Sequence, residues 1–114
     1  LEGNKHLDKR AKQEKHFWDK FAPFYDLFMQ RFADDYQKLI PMIEAQLKPA
    51  DIILEIAAGT GQITLKIAPV VKWVTATDIS EPMLEVARRK SGAAQIKNID
   101  YKVWDAYTIA SGNP

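Results

Sequence analysis

The sequence predicts an α/β fold, a parallel sheet of three strands in the order 3-2-1 preceded by N-terminal helices. Three observations carry this. Apolar runs at Ile52–Ile56, Trp73–Asp78 and Ile99–Trp104 read as strands, while the segments between them place apolar residues at helical spacing. Each strand ends in a turn rich in glycine or acid. Parallel strands joined by right-handed helical crossovers then stack in the order third, second, first.

Residues 1–16 are dominated by charge, with Lys5, Lys9, Arg10, Lys12 and Lys15 offset by Asp8 and Glu14, and read as a solvated helix or a mobile arm. Phe17, Phe21, Phe24, Phe28 and Phe32 then recur at helical steps on one face, a stripe read chiefly as packing. Pro23 lacks an amide hydrogen and disfavours helix at Ala22, which predicts two short helices rather than one. A further helix carries Tyr36, Leu39, Ile40, Ile43 and Leu47, with Pro41 beginning or bending it. Lys48-Pro49-Ala50-Asp51 is a turn signal leading into the first strand. The continuous run Ile52-Ile53-Leu54-Glu55-Ile56 suits a strand covered on both faces. Ile63, Ile67 and Ala68 give one apolar face to a short helix before Pro69. After the second strand, Ser80 is the expected N-cap of a helix with Glu81 and Glu85 at its start, Arg88, Arg89 and Lys90 near its end, and Gly92 closing it. The third strand puts Tyr101 and Val103 on one face and finishes at Asp105.

The most informative stretch is the turn after the first strand, Ala57-Ala58-Gly59-Thr60-Gly61, because glycine allows positive φ and keeps no side chain between a ligand and the main chain. Glu55 adds a carboxylate to the same crevice. A dinucleotide fingerprint places three glycines around a pyrophosphate, and here Thr64 stands where the third would be. The acid would repel a pyrophosphate and attract a cationic ligand. S-adenosylmethionine carries both an ammonium and a sulfonium. Asp78, at the tip of the second strand and seventeen residues past Gly61, is placed to hold the hydroxyls of a ribose.

These residues resemble the class I S-adenosylmethionine-dependent methyltransferases, of the small-molecule and quinone or lipid types. Glu55-Ile-Ala-Ala-Gly-Thr-Gly61 is similar to the family's first motif, with Ala57 where glycine is commonest. Thr77-Asp78-Ile79-Ser80-Glu-Pro-Met83-Leu84 resembles the second, and Val103-Trp104-Asp105-Ala106 the third. The resemblance runs from about Phe17 to Ala106 and implies a Rossmann-like fold. It implies that Glu55 faces the methionine amino group and that the backbone from Ala57 through Ala58, Gly59 and Thr60 to Gly61 follows the methionine and ribose. It places Asp78 on the ribose, with Ile79, Ser80, Met83, Asp105 and Ala106 around the adenine. Phe24-Tyr25-Asp26 resembles the family's N-terminal segment that folds over the cofactor, with Tyr25 against the methionine part. Ser80 reads first as a helix cap.

The implied reaction is attack by a small-molecule acceptor on the sulfonium methyl carbon, which asks the protein mainly to align the partners and exclude water. No catalytic base is assigned. His6 and His16 lack partners at ligand spacing, so no metal site is expected. The family's sheet has seven strands, so a truncated domain is expected: residues 1–50 as a helical cap and 51–114 as the N-terminal half of the cofactor-binding domain. Leu1 in place of methionine points the same way.

A net charge of +1 gives no field that favours nucleic acid or an anionic membrane. The absence of cysteine excludes disulfides and thiolate metal sites and fits a cytoplasmic location. No apolar stretch reaches the roughly 18 residues of a membrane span. Two rival readings stand beside the methyltransferase: an NAD-binding oxidoreductase module, and a non-catalytic or incomplete nucleotide-binding module that forms a homodimer through an exposed strand edge or exchanged helices.

Overall fold

A computed structural model describes residues 2–104 of the 114-residue chain. Helices α1 (Glu2–Met29) and α2 (Ala33–Glu44), joined by a 3-10 turn at Gln30–Phe32, precede the sheet. Strand β1 (Ile52–Glu55), α3 (Thr64–Ile67), β2 (Trp73–Asp78), α4 (Glu81–Ala93) and β3 (Ile99–Val103) follow. The sheet is parallel with order β1-β2-β3, the predicted Rossmann-like arrangement.

Register decides what each strand does. Ile53, Val74 and Ile99 lie side by side, as do Glu55, Ala76 and Tyr101, so these residues share a face. On that face Val74 and Ala76 are fully buried with Ala58, Ile67, Ala68 and Leu84, which makes the core the layer between the sheet and α3 and α4. On the other face β1 is open, while Thr77 of β2 is fully buried. Ile52 is 70% and Leu54 51% exposed, so β1 is half-covered rather than covered on both faces, as its continuous apolar run had suggested.

Helix α1 runs unbroken through Pro23. The lost amide bond at Pro23 is outweighed by contacts on both sides of it: Asp19 and Asp26 dock onto later elements, and Trp18, Phe21 and Tyr25 form a chain of ring contacts. Local propensity yields here to tertiary packing. Pro41 likewise sits inside α2. Of the phenylalanine stripe, Phe17, Phe24 and Phe28 do not pack into the core, for Phe24 is 60% exposed and Phe17 and Phe28 are also exposed, with their rings against Phe21. Phe21 is half-buried, and the Phe32 side chain lies outside the described residues. Among the described residues of α1 the buried apolar side chains are Ala11 and Ala22, while Trp18, Phe21 and Tyr25 are half-buried.

Lys48–Asp51 forms the predicted turn, with the Asp51 amide donating to the Lys48 carbonyl at 3.0 Å and the Lys48 amide to the Asp51 carboxylate at 2.8 Å. Ser80 caps α4 by accepting the Met83 amide at 3.3 Å. Gly92 lies inside α4 instead of ending it, and the positive φ that follows the helix is taken by Gln95 at +58°. The third strand stops at Val103, and Asp105 and Ala106 lie outside the described residues. Among the described residues no helix is long and apolar enough to cross a membrane.

Candidate functional site

The turn after β1 is left-handed at three positions, Ala57 (φ +60°), Gly59 (φ +60°) and Gly61 (φ +84°). Such a path exposes backbone amides and needs bracing from outside itself. The brace is Asp78. Its Oδ2 accepts the Gly59 amide at 2.8 Å and its Oδ1 accepts the Ser80 amide at 3.0 Å, so one buried carboxylate ties together the turns after β1 and β2. The sheet continues into the turn, with the Ala58 amide donating to Thr77 carbonyl oxygen at 2.9 Å.

The two glycines serve different ends. A Cβ on Gly59 would lie 3.6 Å from the Tyr25 ring, ordinary contact beside an open cleft. A Cβ on Gly61 would lie 2.5 Å from Leu65 Cδ1 and 3.1 Å from Ala87 Cβ, so Gly61 lets the turn pack against α4. Ala57 takes a left-handed conformation in spite of its Cβ, which costs about 1–2 kcal/mol. It occupies the position where the resemblance favours glycine.

A cleft of about 380 Å³ opens against this turn. Ile56, Ala57 and Gly59 form one wall, Asp78, Ile79 and Met83 a second, and Trp104 closes the end beyond β3. Helix α1 covers the remaining side with Glu14, Trp18 and Tyr25. Of the sequence-predicted site residues, Tyr25, Ala57, Gly59, Asp78, Ile79 and Met83 therefore meet at one cleft. Glu55, Ala58, Thr60, Gly61 and Ser80 stand behind its walls. The Thr60 and Ser80 hydroxyls are both spent on carboxylates of α1. Trp18, Glu14, Ile56 and Trp104 were not anticipated. Trp18 stands seven residues before Tyr25, two helical turns, and that spacing marks the covering face better than the phenylalanines do.

Burial pushes the Tyr25 hydroxyl up to about 12, aided by the neighbouring Tyr36 hydroxyl and the Asp78 and Asp26 carboxylates, so Tyr25 is a neutral hydrogen-bonding group at physiological pH. Burial also raises Glu55, with the Asp78 charge adding to it against the opposing Thr64 hydrogen bond. Thr64, standing where a third glycine would be, donates its hydroxyl to Glu55. The arrangement supplies what an adenosyl cation requires: exposed backbone, two acids of which one would be relieved by a positive charge, and aromatic flanks. Its volume lies within the about 300–1,000 Å³ of small-molecule sites.

A methyltransferase-domain profile matches residues 53–113. The chain belongs to the methyltransferase-domain family. Over 91 residues this methyltransferase domain is 36% identical to a ubiquinone/menaquinone biosynthesis C-methyltransferase of Zymomonas mobilis, covering 69% of this chain and 36% of that one. It is 28% identical over 99 residues to a dimethyladenosine transferase of Candida glabrata, covering 86% and 31% of the two chains. A solved Haemonchus contortus phosphoethanolamine N-methyltransferase 1, in complex with phosphoethanolamine and S-adenosylhomocysteine, superposes with a TM-score of 0.67 at 25% identity, covering 85% of this chain and 22% of that one. The methyltransferase domain described here thus spans 36% and 31% of the length of the two curated relatives.

Two outcomes follow from the turn. Gly59→Ala is expected to cost about 1–2 kcal/mol in urea unfolding, from backbone conformation alone, and Gly61→Ala about 2–5 kcal/mol, because overpacking adds to it. Ala57→Gly should stabilise the domain. Equal costs at the two glycines would contradict the packing role of Gly61. For Glu55, a raised folded pKa means that its contribution to stability is complete below the unfolded value and is lost as pH rises through the folded one. Glu55→Gln, which cannot ionise, should therefore melt above the wild type at pH 8, with the gap closing toward pH 4. A variant that melts lower at both pH values would contradict this.

Proposed function

We propose that the chain is the cofactor-binding part of an S-adenosylmethionine-dependent methyltransferase acting on a small-molecule acceptor. One observation carries this reading above the others: the Asp78 carboxylate at the tip of β2 forms a cleft wall while bracing a glycine turn whose main chain faces the same cleft. When bound, the cofactor supplies a methyl group on a sulfonium centre, already a good leaving group. The residues present hold and orient.

In this reading Asp78 uses the lone pairs left over from Gly59 and Ser80 to take the ribose hydroxyls. The backbone from Ala57 to Gly61 follows the methionine and ribose, and Ile79, Met83 and Ala106 flank the adenine, with Asp105 at its amino group. Trp104 adds an indole face at the same end. Glu55 answers the ammonium, and the support is electrostatic: a half-buried acid with a raised pKa gains from a nearby cation. Ser80 contributes through its backbone. Residues 1–50 serve as the cap and 51–114 as the cofactor-binding part, supported by α1 lining the cleft.

A quinone-type acceptor is supported by the likeness to the Zymomonas mobilis C-methyltransferase. The likeness to a dimethyladenosine transferase favours a second reading, an adenine in nucleic acid as acceptor, against which stands the net charge of +1. A homodimer along β1 is supported only by the exposure of Ile52 and Leu54 at the sheet edge.

Calorimetry with S-adenosylhomocysteine tests the reading. The wild type should bind one equivalent, and Asp78→Ala, checked for retained fold by circular dichroism, should weaken binding by about 1–3 kcal/mol through lost charge-assisted hydrogen bonds. Unaltered affinity in the folded variant would remove Asp78 from the ribose.

A further inference from the structure

Asp19 and Asp26 stand two helical turns apart on α1 and so share a face. Each reaches a different rim of the cleft. Asp19 Oδ1 accepts the Ser80 hydroxyl at 2.6 Å, beyond β2, and its Oδ2 accepts Lys15 at 2.6 Å. Asp26 Oδ1 accepts the Thr60 hydroxyl at 2.6 Å and the Gln62 amide at 2.8 Å, within the glycine turn, while its Oδ2 pairs with the Lys90 ammonium of α4 at 2.7 Å. Lys90 also donates to the Thr60 carbonyl at 3.2 Å, closing the network over the turn. Trp18 and Tyr25, each one residue before an aspartate, line the cleft between the two attachments.

Apolar packing holds α1 only thinly. Among the described residues its buried apolar side chains are Ala11 and Ala22, which permit close approach but remove little area from water. Trp18 and Tyr25 are half-buried at the edge of an open cleft, and Phe17, Phe24, Leu27 and Phe28 are exposed. Docking therefore leans on the two carboxylates. The Lys90 and Asp26 side chains remain 33% and 38% exposed, so water can compete for this pair and the attachment is releasable. A helix bonded to both cofactor-facing turns, yet with little apolar anchorage, is suited to dock and undock as a unit.

We propose that Asp19 and Asp26 are positioning residues that latch α1 across the cleft, so that their release opens the cleft and sets how long a bound nucleotide stays. The retention half of this rests on the cofactor site proposed above; the docking half does not.

The test is the double variant Asp19→Ala/Asp26→Ala, in which alanine preserves helix propensity so that loss of docking is not confused with loss of helix. In ligand-free protein, amide hydrogen exchange across residues 18–29 should accelerate about tenfold or more while β2 stays protected. S-adenosylhomocysteine should dissociate about tenfold faster, with association unchanged or faster, a split that a general loss of folded protein would not produce. Lys90→Met, which removes a partner on α4, should accelerate dissociation less and should add little on top of Asp26→Ala, because both break the same pair. Unchanged exchange in α1 would overturn the latch, as would faster exchange with an unchanged dissociation rate. If the double variant does not fold, Lys90→Met alone decides by the same two readouts. If the wild type binds no S-adenosylhomocysteine, the cofactor site falls and the retention role with it, while exchange in α1 still decides the docking role.

Discussion

The site depends on one carboxylate. Asp78 takes the amides of Gly59 and Ser80 on its two oxygens, and through them it fixes where two turns stand relative to each other. Without that link the turn after β1, left-handed at Ala57, Gly59 and Gly61, would have to hold its shape on the Ala58–Thr77 backbone bond, the bonds of Asp26 and Lys90 to Thr60, and the contacts of Gly61 with α4. A buried carboxylate is costly unless its lone pairs are satisfied, and here the backbone satisfies them. The acid that the resemblance assigns to a ribose is thus also a structural member. Any loss at this position reports on the fold and on the ligand together, which is why binding must be judged in variants shown to be folded.

From that link the rest follows outward. The paired turns form two walls, β3 brings Trp104 to a third, and α1 completes the enclosure through attachments to the same turns. The sheet behind them is covered on one face by α3 and α4, and the opposite face of β1 leaves Ile52 and Leu54 open. The cofactor side of the fold is accordingly well formed, while the uncovered face of β1 contributes nothing to the cleft.

Much of this was legible in the sequence where the cause is local or where one motif dictates backbone shape. The β-branched runs gave β2 its bounds at Trp73 and Asp78, the Lys48–Asp51 turn followed from its proline and aspartate, and Ser80 capped α4 as its residue type requires. Whatever depended on distant partners was hidden. Pro23 reads as a helix break until Asp19 and Asp26 are seen docked on either side of it. The phenylalanine repeat drew attention to a face that turned out exposed, while the neighbouring Trp18 and Tyr25 carry the contact with the cleft. Gly92 looked like a helix end, yet Gln95 takes the left-handed position; the structure shows no contact that explains the exchange. Gly59 and Gly61 looked equivalent, and only packing against Ala87 separates them.

The central claim is that a nucleotide cofactor seats between the Asp78-braced turn and α1. An amide NMR titration with S-adenosylhomocysteine tests it most directly. Saturable shifts are expected at Gly59, Ile79 and Trp104, together with the Trp18 and Tyr25 region of α1, fitting a single site. Shifts confined elsewhere, for instance to the separate cleft that Tyr36, Ile40 and Lys66 line beside α2, or no shifts at all, would contradict it.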